Sequence, residues 1–322
     1  MTTRYVFFIN KVACDGQAGP YWESVRQHFR EAFPNMEEIY PPDPNAGMQM
    51  AKEVVQTGEQ TCIVTVGGEG TMNRALNGVM DSGRYDNVAM ALVPFGNVND
   101  YAANIGLKKT WQHALETLKT NRQVPVGVVR VTTEHEVEYA LNIADIGFGA
   151  STAKSHSVDH QLSWLKGQLK YNVLALKTLL RWKNVSARIS IDDQTITDDI
   201  AILLAGFSPT LGGFHLLPHG NPVRNNLAIA LAINPSKLQI LGLIEKAKKK
   251  LLEANEIIHF YEGSKLLVET RDPMVVEVDG EIVSTASCKM QFDAMPGAIN
   301  FVVPSDSATI SPRPVQCYLY IE

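Results

Sequence analysis

Through the first third of the chain, short continuous apolar runs alternate with stretches whose apolar residues return every three or four positions. Tyr5 to Ile9, Cys62 to Val66 and Val88 to Val93 are strand-length apolar runs, while Tyr21 to Phe33, Gly47 to Thr57, Thr71 to Met80 and Trp111 to Lys119 carry the helical period. Strands alternating with helices in this way predict an α/β unit on a parallel sheet. After Pro125 the period shortens to two. Val126 to Thr132, Val137 to Ile143, Ala187 to Ile191, Ile200 to Phe207, Leu227 to Ile233, Leu266 to Glu269, Val275 to Val278 and Lys289 to Phe292 read as strands of a mainly β region. Two helical patterns interrupt it, Ser163 to Trp182 and Lys237 to Asn255.

A chain of 322 residues exceeds the size at which one core stops growing, roughly 250 to 300 residues. The pattern therefore divides into an α/β domain over 1–125, a β domain over 126–300 and a C-terminal segment, 301–322, able to return to the first domain. Hydrophobic residues at 45% and charged residues at 20% exclude a disordered or collagen-like chain. A net charge of −5 argues against nucleic acid as a partner. Cys14, Cys62, Cys288 and Cys317 are widely spaced with no CxxC pair, which fits a reducing cytosol. No run approaches the roughly 18 apolar residues of a membrane span. The eight histidines show no metal-ligand spacing.

The chemistry concentrates after the second strand. In Thr61 to Met80, Gly67-Gly68-Glu69-Gly70 separates a β-branched strand from a helix opening at Thr71. Freed backbone N–H groups and the positive end of a helix dipole can hold a phosphate there, and the same glycines also suit a plain tight βα turn. Neither GxxxxGK with Ser or Thr nor GxGxxG fits, since Asn73 stands at the third glycine of the latter. A second loop, Pro94-Phe95-Gly96-Asn97-Val98-Asn99-Asp100, follows the next strand, at the sheet edge where α/β proteins bind ligands.

These loops, GGEGT and VPFGNVNDYAANIGL, resemble the diacylglycerol kinase catalytic domain shared by bacterial soluble lipid kinases, sphingosine kinases and ceramide kinases, whose usual forms are GGDGT and PxGTxND. Leu141 to Ala150, Gly212-Gly213-Phe214 with Pro218, and Val278-Asp279-Gly280-Glu281 match later blocks in the same order. NAD kinase is a more distant likeness. The resemblance implies an α/β nucleotide domain of this type with a parallel sheet, a C-terminal β-sandwich, and a site between them. It implies ATP and Mg²⁺ as cofactors, with nucleotide contacts from Asn10, Gly67, Gly68, Glu69, Gly70, Thr71, Asn73, Gly96, Asn97, Asn99 and Asp100. Alone, Asp279-Gly280 between alternating runs signals a type I′ hairpin. The resemblance adds a catalytic role for Asp279 and Glu281, with Glu281 as general base.

Several positions depart from the family pattern. Glu69 stands for the aspartate of GGDGT, Asn97 for a threonine, and Asn225 for an aspartate of an Asp-Asp-Gly-Leu block that helps hold Mg²⁺; Gly127 and Gly149 stand where the family has acids. The metal ligands are left unassigned. The implied function is an ATP-dependent lipid kinase acting on diacylglycerol or a related long-chain alcohol, with a weakly active nucleotide- or lipid-binding homologue and an NAD kinase as alternatives. Partners implied are the lipid alcohol, a transient membrane surface and, as an option, a second copy of the chain, in a cytoplasmic protein peripheral to the membrane. Ser163 to Trp182 is the candidate membrane element. Leu165, Leu169, Leu176 and Leu180 share a face flanked by Lys166, Lys170, Lys177 and Arg181, with Trp164 and Trp182 at its ends, and the same leucines can instead pack on the sandwich.

Overall fold

The computed structural model describes residues 3–14, 16–96, 98–158, 167–307 and 310, without the side chains of 167–171. The first region runs β1 (Arg4–Ile9), α1 (Ala18–Ala32), β2 (Glu37–Ile39), α2 (Pro44–Val55), β3 (Thr61–Gly67), α3 (Glu69–Asp81), β4 (Val88–Pro94), α4 (Asp100–Asn104) and α5 (Trp111–Thr120). β2, β1, β3 and β4 pair in parallel in that order. In β1, Val6 and Phe8 enter one apolar cluster with α2 and α3 while Phe7 and Ile9 enter another with α1 and α5. That two-sided burial is why Val6 to Ile9 are apolar at consecutive positions and do not alternate with polar ones. Side chains start α2 and α5: Asp43 accepts from Ala46 N–H with Pro44 next to it, and Thr110 accepts from His113 N–H.

The second region runs β5 (Gln123–Thr132), β6 (Val137–Ala140), β7 (Ile143–Gly147), α6 (Phe148–Val158), α7 (Gly167–Arg181), β8 (Val185–Ile191), β9 (Gln194–Gly206), β10 (Thr210–Leu211), β11 (Phe214–His215), β12 (Leu227–Ile233), α8 (Lys237–Lys248), β13 (Ile258–Gly263), β14 (Lys265–Val278) and β15 (Glu281–Val302). Its pairings are antiparallel, and strands β5, β8, β9, β12, β14 and β15 enclose a separate cluster that includes Val129, Ile189, Leu203, Ile229, Val268 and Phe292.

The two regions are continuous through β15. Its start pairs with β14, while Asn300 and Phe301 lie parallel to Ala89 and Met90 of β4. The last strand thus leaves the β region and returns to the first sheet by Asn300; residues 311–322, including Cys317, lie outside the described residues.

Several elements differ from the periodicity. The run Val137 to Ile143 is two strands broken at Leu141-Asn142, because Asp279 takes the backbone N–H groups there. Leu266 to Glu269 and Val275 to Val278 are one strand, kinked between Glu269 and Met274. The helix expected to reach Asn255 stops at Lys248, and α6 and β13 had no expectation. Strand β5 begins at Gln123 and runs through Pro125.

Candidate active site

Strands β3 and β4 end side by side, Gly67 opposite Pro94, and Phe95 N–H donates to Gly67 O at 2.8 Å. The two glycine loops then touch. A β-carbon on Gly96 would stand 2.6 Å from Cα of Gly68, so the contact admits no side chain. Gly68 is the N-cap of α3 and offers no side-chain cap, leaving the first N–H groups of that helix to an external acceptor.

Beside that helix end lies a cleft of about 370 Å³, lined by Asn10, Gly68, Gly70, Thr71, Arg74 and Glu281, with Phe8 and Pro41 to Pro44 on the other side. Asn10 Nδ2 donates to Thr71 Oγ1 at 3.0 Å, which fixes the hydroxyl oxygen while leaving its hydrogen free to donate. Glu281 begins β15 beyond a tight turn in which Asp279 (φ 50°) and Gly280 (φ 93°) both have positive φ, the backbone of a type I′ hairpin. Turn and site residue are the same segment. The Glu281 carboxylate is 44% exposed, and its Oε2 lies 3.5 Å from Arg74 Nη2. Arg74 had no place among the expected residues. Its signal is spacing: it sits one helical turn after Gly70, on the same face.

Among the described residues, the remaining expected ones do not line the cleft. Glu69 turns inward, its Oε1 accepting from Tyr101 N–H and Asn142 Nδ2, both at 3.3 Å. Burial, then the charges of Asp100 and Asp279, push its carboxyl up to about 7. Asp100 is buried and accepts from Gly213 N–H at 3.0 Å, tying the second loop to the turn between β10 and β11; burial raises its carboxyl. Asn99 braces its own loop, its Nδ2 donating to Gly96 O at 2.9 Å. Asn73 is buried and donates to Tyr139 O at 3.0 Å, fastening α3 to β6. Asp279 is buried too, accepting from the N–H groups of Leu141, Asn142 and Ile143 at 2.8 to 3.1 Å. It holds the hairpin and lies behind the cleft; burial pushes its carboxyl up to about 6 against those donors. Asn97 lies outside the described residues.

The spaces beside Gly127 and Gly149 are filled. At Gly127 a β-carbon would meet the Phe207 ring at 2.6 Å, and at Gly149 it would collide with Asp145 Oδ2. Asp145 is buried opposite Glu277 in the register of β7 and β14, and Asp145 Oδ1 has no hydrogen-bond partner. Asn225 is exposed in the turn before β12. Among the described residues no three His, Cys, Asp or Glu side chains stand together as a metal cage.

A second cavity, about 1040 Å³, opens between α6 and α7. Leu174, Leu180, Trp182 and Val275 supply apolar walls, and Lys154, Lys177, Arg181 and Lys183 supply charge. Within α7, Leu174 and Leu179 are buried while Leu176 and Leu180 are 51% and 66% exposed, so the expected Leu176–Leu180 face points away from the core. Trp164, Leu165, Lys166, Leu169 and Lys170 lie outside the described side chains. Among the described residues no helix is long and apolar enough to cross a membrane.

Comparison with known proteins decides the family. The profile of the diacylglycerol kinase catalytic domain matches residues 4–131, and that of the YegS C-terminal NAD kinase beta sandwich-like domain matches residues 144–303. Residues 4–131 belong to the diacylglycerol kinase catalytic domain family. It is 26% identical, over 75% of its length and 76% of the relative's, to a Staphylococcus aureus (strain bovine RF122 / ET3-1) protein provisionally named a lipid kinase. Two solved structures from Bacillus anthracis str. Sterne, one titled a diacylglycerol kinase and the other provisionally so, share the fold of this chain. Their TM-scores are 0.71 and 0.75 at 17% and 19% identity, each covering 94% of this chain and 98% of the other.

Proposed function

We propose that this protein is an ATP-dependent lipid kinase that transfers the γ-phosphoryl group to a hydroxyl of diacylglycerol or a related long-chain lipid, working in the cytoplasm at a membrane surface. The observation that carries this reading is the placement of Glu281, from the far end of the chain, against the uncapped start of α3 at Gly70 and Thr71. Phosphates rest on the N–H groups of that helix turn and on the Thr71 hydroxyl. Glu281 accepts the proton of the lipid hydroxyl as its oxygen bonds to the γ-phosphorus, and the bond to the departing ADP breaks. Such base assistance is worth about 10² to 10⁴ in rate, the remainder coming from positioning and charge neutralisation. Asp279 and Asn73 keep the hairpin in register and touch no substrate.

Magnesium brought in with ATP would neutralise phosphate charge; among the described residues no three His, Cys, Asp or Glu side chains form a cage for it. The cavity between α6 and α7 supports a lipid acceptor. It is apolar, rimmed by cations suited to anionic membrane, and bordered by β14 and by Lys154, whose Nζ reaches Thr285 O on the strand that Glu281 begins.

A second reading, a weakly active nucleotide- or lipid-binding homologue, is favoured by the filled spaces at Gly127 and Gly149. Incubation with γ-labelled ATP and a panel of lipid alcohols plus NAD separates the readings. Labelled lipid supports the kinase; labelled NAD alone points to NAD kinase; ATP binding with no labelled product leaves the binding homologue.

A further inference from the structure

Arg74 is the one cation among the described residues lining the phosphate cleft. Helical side chains lean toward the helix N-terminus, so a guanidinium at position 74 covers the turn that starts at Gly70, where the free N–H groups face the cleft. Two carboxylates hold it. Glu138 Oε1 of β6 is 3.2 Å from Nη1 and Glu281 Oε2 is 3.5 Å from Nη2.

The two contacts are unequal. The Glu138 side chain is only 13% exposed, and its second oxygen is buried with no partner, so losing Arg74 would strand a buried acid. The Glu281 side chain is 44% exposed and its contact is long, which makes that pair weak and exchangeable. A guanidinium presents donors along separate edges, so one edge can stay on Glu138 while another changes partner. One cation between two carboxylates also leaves the empty cleft locally anionic, an unfavourable entry for a polyphosphate unless that edge turns to meet it.

We propose that Arg74 senses the terminal phosphate: it pairs with Glu281 in the empty cleft and, pivoting on Glu138, moves onto the γ-phosphate when ATP binds, which frees Glu281 to accept the acceptor's proton. This inference rests on the kinase reading and adds a control to it. The base is released when a transferable phosphate is present and stays paired when the cleft is empty or holds ADP.

Calorimetric titration of ATP and of ADP into wild type, Arg74→Gln, Arg74→Lys and Glu281→Gln tests it. Arg74→Gln should weaken ATP about tenfold or more while leaving ADP within about twofold, as expected for loss of one charge-assisted contact to the terminal phosphate. Arg74→Lys should lie between, its point charge replacing part of the fork. Glu281→Gln should tighten ATP, because the competing pair is gone, and should not do so in the Arg74→Gln background. Equal weakening of ATP and ADP, or no change in their ratio, would make Arg74 a strut between α3 and β6 and end the proposal. If Arg74→Gln fails to fold, Arg74→Lys and Glu281→Gln still read the ratio. Wild type that binds neither nucleotide removes the kinase reading itself, whereas ATP binding with an unaltered ratio removes this inference alone.

Discussion

A β-carbon on Gly70 would stand 2.9 Å from Oε1 of Glu281. The glycine lies in the first turn of a helix, where its backbone needs no glycine, so the space above it is reserved for the carboxylate. Gly70→Ala should therefore separate activity from stability. The fold should keep its melting temperature or gain from the better helix former, by at most about 1 kcal/mol. Turnover should fall, since displacing a reacting group by about an ångström costs on the order of a hundredfold. Steady-state kinetics beside thermal melts would decide it, and a variant with wild-type kcat would show that Glu281 need not stay where it is.

Removing the acceptor chemistry alone calls for Glu281→Gln. Shape is kept and ATP affinity should be at or above wild type, while kcat falls by about 10² to 10⁴. A hairpin role without chemistry predicts equal kcat in both proteins, and that result would return Glu281 to a turn.

Much of this site was legible in the sequence for a definite reason. Glycines where two backbones meet, and an Asp-Gly turn between alternating strands, are constraints a single residue type announces. The inward turn of Glu69 and Asp100 was not legible, because what captures them, Asn142 and Gly213, belongs to the second region of the chain. Arg74 was hidden in the same way. An arginine on a helix usually reads as a solvated face, and only the approach of Glu138 and Glu281 makes it part of a site. In the fold, the periodicity of Val137 to Ile143 was correct on both sides of a break that depends on Asp279.

The buried acids set a pH dependence. Burial raises the Glu277 carboxyl from 4.5 to about 7, with Asp279 and Glu281 adding repulsion. Between those values the folded protein holds the proton more tightly than the unfolded chain does. The stabilisation is complete below about 4.5 and is lost as pH rises through about 7. Glu277→Gln, already neutral, should gain stability over wild type as pH rises from about 5 to about 8. Pairs such as Arg4–Glu37, which lower a carboxyl, act in the opposite sense, so the difference between variant and wild type is what counts. Urea melts with parallel pH slopes for the two proteins would show that Glu277 does not titrate in this range.

Charge at the second cavity should govern membrane contact. Each cation near an anionic surface contributes about 1 kcal/mol, so Lys177→Gln combined with Arg181→Gln should reduce partition onto anionic vesicles about thirtyfold at low salt. Wild-type binding should rise with anionic lipid fraction and fall with ionic strength. Co-sedimentation that is equal for both proteins would detach this surface from the bilayer.

The last prediction concerns the acid at Asp145. A β-carbon on Gly149 would collide with Asp145 Oδ2, so a side chain at 149 and this carboxylate cannot share the space. Gly149→Ala should cost about 1 to 3 kcal/mol by overpacking. Asp145→Ala removes a buried acid whose carboxyl burial already raises, and vacates room for the new methyl, so the double variant should recover most of the loss. That is a coupling of about 1 to 3 kcal/mol in a double-mutant cycle, readable by urea denaturation. Additive effects would show that the two positions do not compete. If they do compete, the carboxyl that the resemblance implies at 149 is supplied instead by a residue four positions earlier. Gly149→Asp should then be tolerated only with Asp145→Ala, and the kcat of that pair relative to wild type measures what the exchange did to turnover.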